Sequence, residues 1–143
     1  MLNSFQWLTD GVSMPVLDFP KLEDWIIRVA KGHGRIIGEI TYIFCNDEVI
    51  LGVNRQFLNH DYFTDIITFD DSRGNLLRGD MYISLDTVRS NAEQIGSTYN
   101  AELLRVIIHG ILHLCGINDK GPGERQIMER HENSALNCYS SIN

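Results

Sequence analysis

Two histidines four residues apart, His109 and His113, stand in a stretch that is otherwise almost wholly apolar over residues 103–115. At helical pitch, positions i and i+4 lie within about 40° of each other, so both imidazoles can converge on one ion. Arg105, one turn earlier, continues the same polar stripe. Asp119 follows His113 by six residues, with Gly116 between them. A left-handed glycine ends a helix and reverses the chain, which would bring the Asp119 carboxylate back toward the histidines. Two imidazoles and one carboxylate leave the fourth position of a tetrahedral zinc open, the arrangement of a catalytic site. A lone histidine on such a helix would be read as a hydrogen-bonded core residue. The pair, with the carboxylate after the turn, favours the metal. Cys115 points about 200° away from His113 and reads as packing.

The spacing H-x-x-x-H-x-x-G-x-x-D resembles the zinc site of metzincin peptidases, in which a histidine stands last. One residue argues against peptide hydrolysis. In H-E-x-x-H peptidases a general-base glutamate follows the first histidine; here that position is Gly110.

The elements that must position these residues read as one alternating α and β unit. Residues 4–8 suggest a first strand. Pro20 opens a helix with Leu22, Trp25, Ile26, Val29 and Ala30 on its buried face, and Gly32 stops it. Residues 35–45 (RIIGEITYIFC) are β-branched and aromatic, hence strand. Asn46 caps a helix whose buried face is Val49, Ile50, Val53 and Phe57. Residues 64–70 and 78–84 read as an antiparallel strand pair joined by the turn residues 71–75. A helix built on Leu85, Val88, Ala92 and Ile95 ends at Gly96. Asn100 is expected to cap the histidine helix. A last helix, from Pro122, is expected to bury Ile127, Met128, Ala135 and Leu136. The expectation is a single α+β domain over residues 1–143, with a roughly four-stranded mixed sheet packed with helices and the zinc site on a buried central helix.

At this level of detail the chain resembles a known family. Residues 109–116 (HGILHLCG) closely match the H-G-x-L-H-L-x-G signature of the YbeY family, bacterial zinc-dependent endoribonucleases and ribosomal RNA maturation factors. Residues 64–69 (TDIITF) resemble that family's T-D-V-L-S-F strand, and residues 79–84 (GDMYIS) its G-D-I-x-I-S strand. Order and distances agree over roughly residues 40–136. The resemblance implies one zinc ion per chain, ribosomal RNA and ribosomal particles as partners, and a cytoplasmic setting. Two positions depart from the family. Its signature closes with D-H, whereas this chain has Asn118 and Asp119, so a carboxylate takes the place of the third imidazole. Where the family carries an arginine after an aromatic, this chain has Leu58 after Phe57; Arg55, one turn earlier, is the candidate substitute.

Other candidates have plain readings. Arg105 can contact substrate phosphate, brace the metal site or form a buried salt bridge, with Glu102 as the nearest partner. Asp65 and Asp80 can accept hydrogen bonds from the ligating histidines or simply cap loops. His60 reads as a solvated loop residue, and His131 as a core-edge histidine.

Composition bounds all of this. The chain has 143 residues, 43% of them hydrophobic, and a formal charge of −7. No apolar run is long enough to span a membrane, and no charged n-region marks a secretory signal. The acidic balance offers no long-range field for a polyanion, so RNA would have to be held by a local group of cations. Arg55, Arg73, Arg78 and Arg105 are the candidates. Three widely spaced cysteines fit a reducing compartment rather than a disulfide framework. Two rivals stay open: a peptidase-like metal hydrolase, and a non-catalytic ribosome-assembly factor with a structural zinc.

Overall fold

Ile37, Ile40, Tyr42 and Phe44 carry β2 (Ile36–Cys45) into the main core, the alternation of a strand packed on one face. The computed structural model describes residues 1–59 and 64–142. Strand β1 (Ser4–Asp10) pairs parallel with β2, β2 pairs parallel with β4 (Leu76–Ser84), and β4 pairs antiparallel with β3 (Ile66–Asp70). The order across this four-stranded mixed sheet is β1-β2-β4-β3. Helices α1 (Phe19–Gly32), α4 (Tyr99–Leu114) and α5 (Glu124–Ser141) contribute to the main core on one face. On the other face Ile50 and Val53 of α2 (Asp47–Val53) join Cys45 and Ile67 in a smaller cluster. Helix α3 (Leu85–Ile95) follows β4 directly and packs along α4. The α+β class and the mixed four-stranded sheet expected from sequence are both present.

The histidine helix is central because its sequence leaves it no other place. Leu103, Val106, Ile107, Ile108, Ile111 and Leu112 are all buried, so α4 must be covered on most of its circumference. It lies against β3 and β4, with α3, α5 and α1 beside it. Tyr42 Oη donates to the Ile107 carbonyl at 2.8 Å, tying helix to sheet in the buried interior. Gly110 marks the closest approach. A Cβ there would collide with Met81 Sδ and meet Ile66 Cδ1 at 3.0 Å. The position after His109 therefore faces the sheet, and an H-E-x-x-H glutamate has no room in this fold.

Several local expectations are corrected. The cap of α4 is Thr98, whose Oγ1 accepts from Ala101 N at 3.1 Å, two residues before Asn100. Helix α5 begins at Glu124 rather than Pro122, and its buried stripe is Met128, Glu132 and Ala135; Ile127, off that stripe, is 47% exposed. Phe57 is 59% exposed, because α2 runs on into a π-helical turn over Asn54–Leu58. The wider turn rotates Phe57 off the α-helical face and buries Asn54 instead. His131 sits half-buried with its ring 5.1 Å from that of His33, as a core-edge histidine should. His60 lies outside the described residues. No helix of the described residues is long and apolar enough to cross a membrane.

Candidate active site

The C-terminus of α4 sets the geometry. Gly116 adopts φ +92°, the left-handed conformation expected there. Arg35 Nη2 donates to the Cys115 carbonyl at 3.1 Å, placing a cation on the negative end of the helix. The reversed chain returns Asp119 Oδ2 to 3.3 Å from His109 Nε2. Two of the three predicted ligands therefore meet. His113, half-buried one turn further along α4, makes no hydrogen bond or ion pair with a described residue and does not line the cavity that His109 and Asp119 share. Among the described residues no three His, Cys, Asp or Glu side chains stand gathered around a metal position.

On its other side, His109 is held by a residue that sequence reasoning passed over. Glu132 Oε2 lies 2.7 Å from His109 Nδ1, and Glu132 Oε1 accepts from Arg105 Nη1 at 2.9 Å. Burial opposes the Glu132 charge, but the hydrogen bonds and charges of His109 and Arg105 outweigh it and hold the carboxyl below its ordinary value. An ionised carboxylate only accepts, so Nδ1 carries the proton and Nε2 is the atom turned toward Asp119. Burial alone would lower the His109 pKa. The Glu132 hydrogen bond and the charges of Glu132, Asp119 and Asp65 reverse that and raise it. Arg105 thus pairs with Glu132, and with Asn133 Oδ1 at 2.8 Å, rather than with Glu102. The signal for Glu132 was present in the sequence: an acid four residues after Met128 and three before Ala135 falls within the apolar stripe of α5.

These groups open into a cavity of about 620 Å³ between α3, α4 and α5, lined by Glu102, Arg105 and His109 of α4 together with Asp119 and Arg125. Asp65, just before β3, also lines it. Burial pushes the Asp65 carboxyl up, with the nearby His109 charge opposing. Burial likewise raises Glu102, and the Asp65 charge adds to the rise. Of the two aspartates considered as histidine acceptors, Asp65 is at the cavity; Asp80 is exposed on β4 and does not line it. Arg55 and Leu58 are exposed on the π-helical turn and are not part of its lining. Arg73 and Arg78 both pair with Asp71, at 3.8 and 3.1 Å. Cys115 is buried packing, as its helical angle required.

The chemistry of the donors fits a metal ion in one measurable respect. Ligands about 2.0–2.1 Å from a tetrahedral zinc stand about 3.3 Å from each other, which is the separation of His109 Nε2 and Asp119 Oδ2. An imidazole lone pair and a carboxylate at that distance need a positive charge between them, either a proton or a cation.

A mixed sheet whose buried helix presents an imidazole, a guanidinium and carboxylates to one cavity is the framework of a hydrolytic enzyme domain. The comparisons narrow this class. A family model described as Endoribonuclease YbeY matches residues 15–140, and the chain belongs to that family. Endoribonuclease YbeY of Bacteroides thetaiotaomicron is 64% identical over 128 residues, spanning 90% of this chain and 93% of the relative. The Endoribonuclease YbeY of Phocaeicola vulgatus is 63% identical over 132 residues, spanning 92% and 96%. The solution structure of TM1509 from Thermotoga maritima superposes with a TM-score of 0.65 at 25% identity, covering 96% of this chain and 92% of that one.

Proposed function

We propose that residues 1–143 form a single metal-dependent hydrolase domain that cleaves RNA phosphodiesters as a zinc-dependent endoribonuclease. Its substrate is ribosomal RNA, met in ribosomal particles during their maturation in the cytoplasm. His109 and Asp119, joined by His113 from one turn further along α4, would hold one zinc ion per chain. The observation that carries the reading is the 3.3 Å approach of His109 Nε2 to Asp119 Oδ2, with Nδ1 already committed to Glu132. When bound, zinc supplies Lewis-acid chemistry, polarising a phosphoryl oxygen and making water more acidic.

The chain's own residues do the rest. Glu132 fixes the ring of His109 and its tautomer. Arg105, anchored by Glu132 and Asn133, keeps a positive charge beside the cavity and, with Arg125, faces the phosphate. The buried packing of Gly110 against Met81 weighs against the peptidase alternative.

The deciding experiment incubates purified protein with structured ribosomal RNA and with ribosomal particles, with and without chelator, followed by zinc re-addition. Cleavage that is lost with chelator and restored by zinc supports the reading. Retention on particles with zinc bound and no cleavage would replace it with the assembly-factor alternative.

A further inference from the structure

Two turns up α4 from His109, Glu102 lines the same cavity, 7% exposed, and no described residue donates a hydrogen bond to its carboxylate. Among the described residues no buried side-chain oxygen lacks a partner, so the Glu102 oxygens are open to the cavity while the rest of the residue is packed away. Arg105, whose charge acts on Glu102, directs its hydrogen bonds to Glu132 and Asn133, at 2.9 and 2.8 Å. Asp65, which lines the same cavity, adds a second negative charge that acts on both Glu102 and His109. Glu102 therefore presents two acceptor oxygens to a ligand that enters this part of the cavity.

Its position indicates the kind of ligand. Seven residues separate Glu102 from His109, about 10.5 Å along one face of a helix. That is comparable with the reach from a nucleotide's phosphate to the Watson–Crick edge of its base. A cavity of about 620 Å³ also has the volume of a small-ligand site. With a phosphate at the His109 end, beside Arg105 and Arg125, the base of the same nucleotide extends to Glu102.

We propose that Glu102 reads the base in a nucleotide subsite of this cavity, accepting the paired N1–H and N2–H donors of a guanine. The choice of guanine follows from the two acceptor oxygens of a carboxylate. Adenine and cytosine present one donor beside an acceptor, and uracil a donor between two acceptors. Each of these sets a lone pair against the carboxylate. The assignment of the phosphate end rests on the endoribonuclease reading; the base end is tested independently of cleavage.

The test titrates the four nucleoside 5′-monophosphates into the full-length protein, followed by NMR, for wild type, Glu102→Gln and Glu102→Asp. Wild type is expected to bind guanosine monophosphate more tightly than the other three by on the order of tenfold. Glu102→Gln, presenting one acceptor and one donor, should lose that preference and favour adenosine monophosphate. Glu102→Asp should keep the guanine preference with weaker binding, and it carries the test should Glu102→Gln not fold. Equal binding of all four by wild type, or an unchanged guanine preference in Glu102→Gln, overturns the proposal. Guanine-selective binding with no RNA cleavage leaves the subsite standing and removes the endoribonuclease reading. Cleavage of RNA with no base-selective binding does the reverse.

Discussion

Glu132 on α5 reaches across to α4 and closes on His109 Nδ1 at 2.7 Å, while its second oxygen holds Arg105 at 2.9 Å. One buried carboxylate thereby fixes both the ring that faces Asp119 and the guanidinium beside it. Partners of this kind raise the basicity of a ligating imidazole, and their loss typically costs about 10–100-fold in metal affinity. Glu132→Gln is therefore expected to weaken zinc binding by that order while leaving the fold intact. Competition with a chromophoric chelator measures it, and wild-type affinity in Glu132→Gln would show that the contact is structural only.

Asp119 and Asn118 are neighbours in sequence with opposite expected importance. Asp119 stands against His109 Nε2, whereas Asn118 is exposed. Asp119→Ala should weaken zinc binding strongly, Asn118→Ala should barely change it, and Asp119→His should retain the metal. Equal affinity in wild type and Asp119→Ala would take Asp119 out of the ligand set.

Much of this was legible in the chain because local signals and tertiary demands agree. The apolar circumference of residues 103–115 could only be a central helix, and Gly116 could only be its reversal point, so the approach of Asp119 to His109 followed from spacing. What escaped notice depends on contacts distant in sequence. Sequence proximity offers Glu102, three residues away, as one possible partner for Arg105, yet Arg105 pairs with Glu132, 27 residues on. No helical rule ranks a far partner over a near one. Phe57 was placed on a buried face because periodicity assumes an α-helix; the π-helical turn at Asn54–Leu58 broke that assumption.

Gly110 offers a test of the packing that places α4. Gly110→Ala gains about 1 kcal/mol of helix propensity, but overpacking against Met81 and Ile66 costs about 1–3 kcal/mol. A net loss of up to about 2 kcal/mol in urea unfolding is expected, with relief when Met81→Ala is added. Gly110→Glu should fail to fold rather than gain peptidase activity. A Gly110→Ala protein more stable than wild type would contradict the close approach.

Few cations face the cavity, so binding of RNA should depend only weakly on salt. Log affinity is expected to fall with log salt at a slope of about −2 to −4. Arg105→Gln and Arg125→Gln should each flatten it by roughly one unit, whereas Arg73→Gln should not, since Arg73 is exposed and away from the cavity lining. Leu58→Arg, which restores the family's residue, tests whether the π-helical turn shares the substrate; cleavage unchanged across a salt series would remove that turn from the substrate path.

His33 supplies a pH dependence separate from the active site. Burial lowers its pKa from 6.5, and the charges of His131 and Arg35 lower it further. In the unfolded chain the imidazole takes up its proton at the ordinary value, so on acidification the unfolded state binds protons first. The contribution of His33 to stability is complete above pH 6.5 and is lost as pH falls through that value toward the lower folded one. His33→Gln cannot be protonated and removes this loss. Urea midpoints measured from pH 7.5 to pH 5 should therefore fall less steeply in His33→Gln than in wild type. Parallel curves would mean that His33 titrates alike in both states, and that its 5.1 Å contact with the His131 ring carries no electrostatic cost.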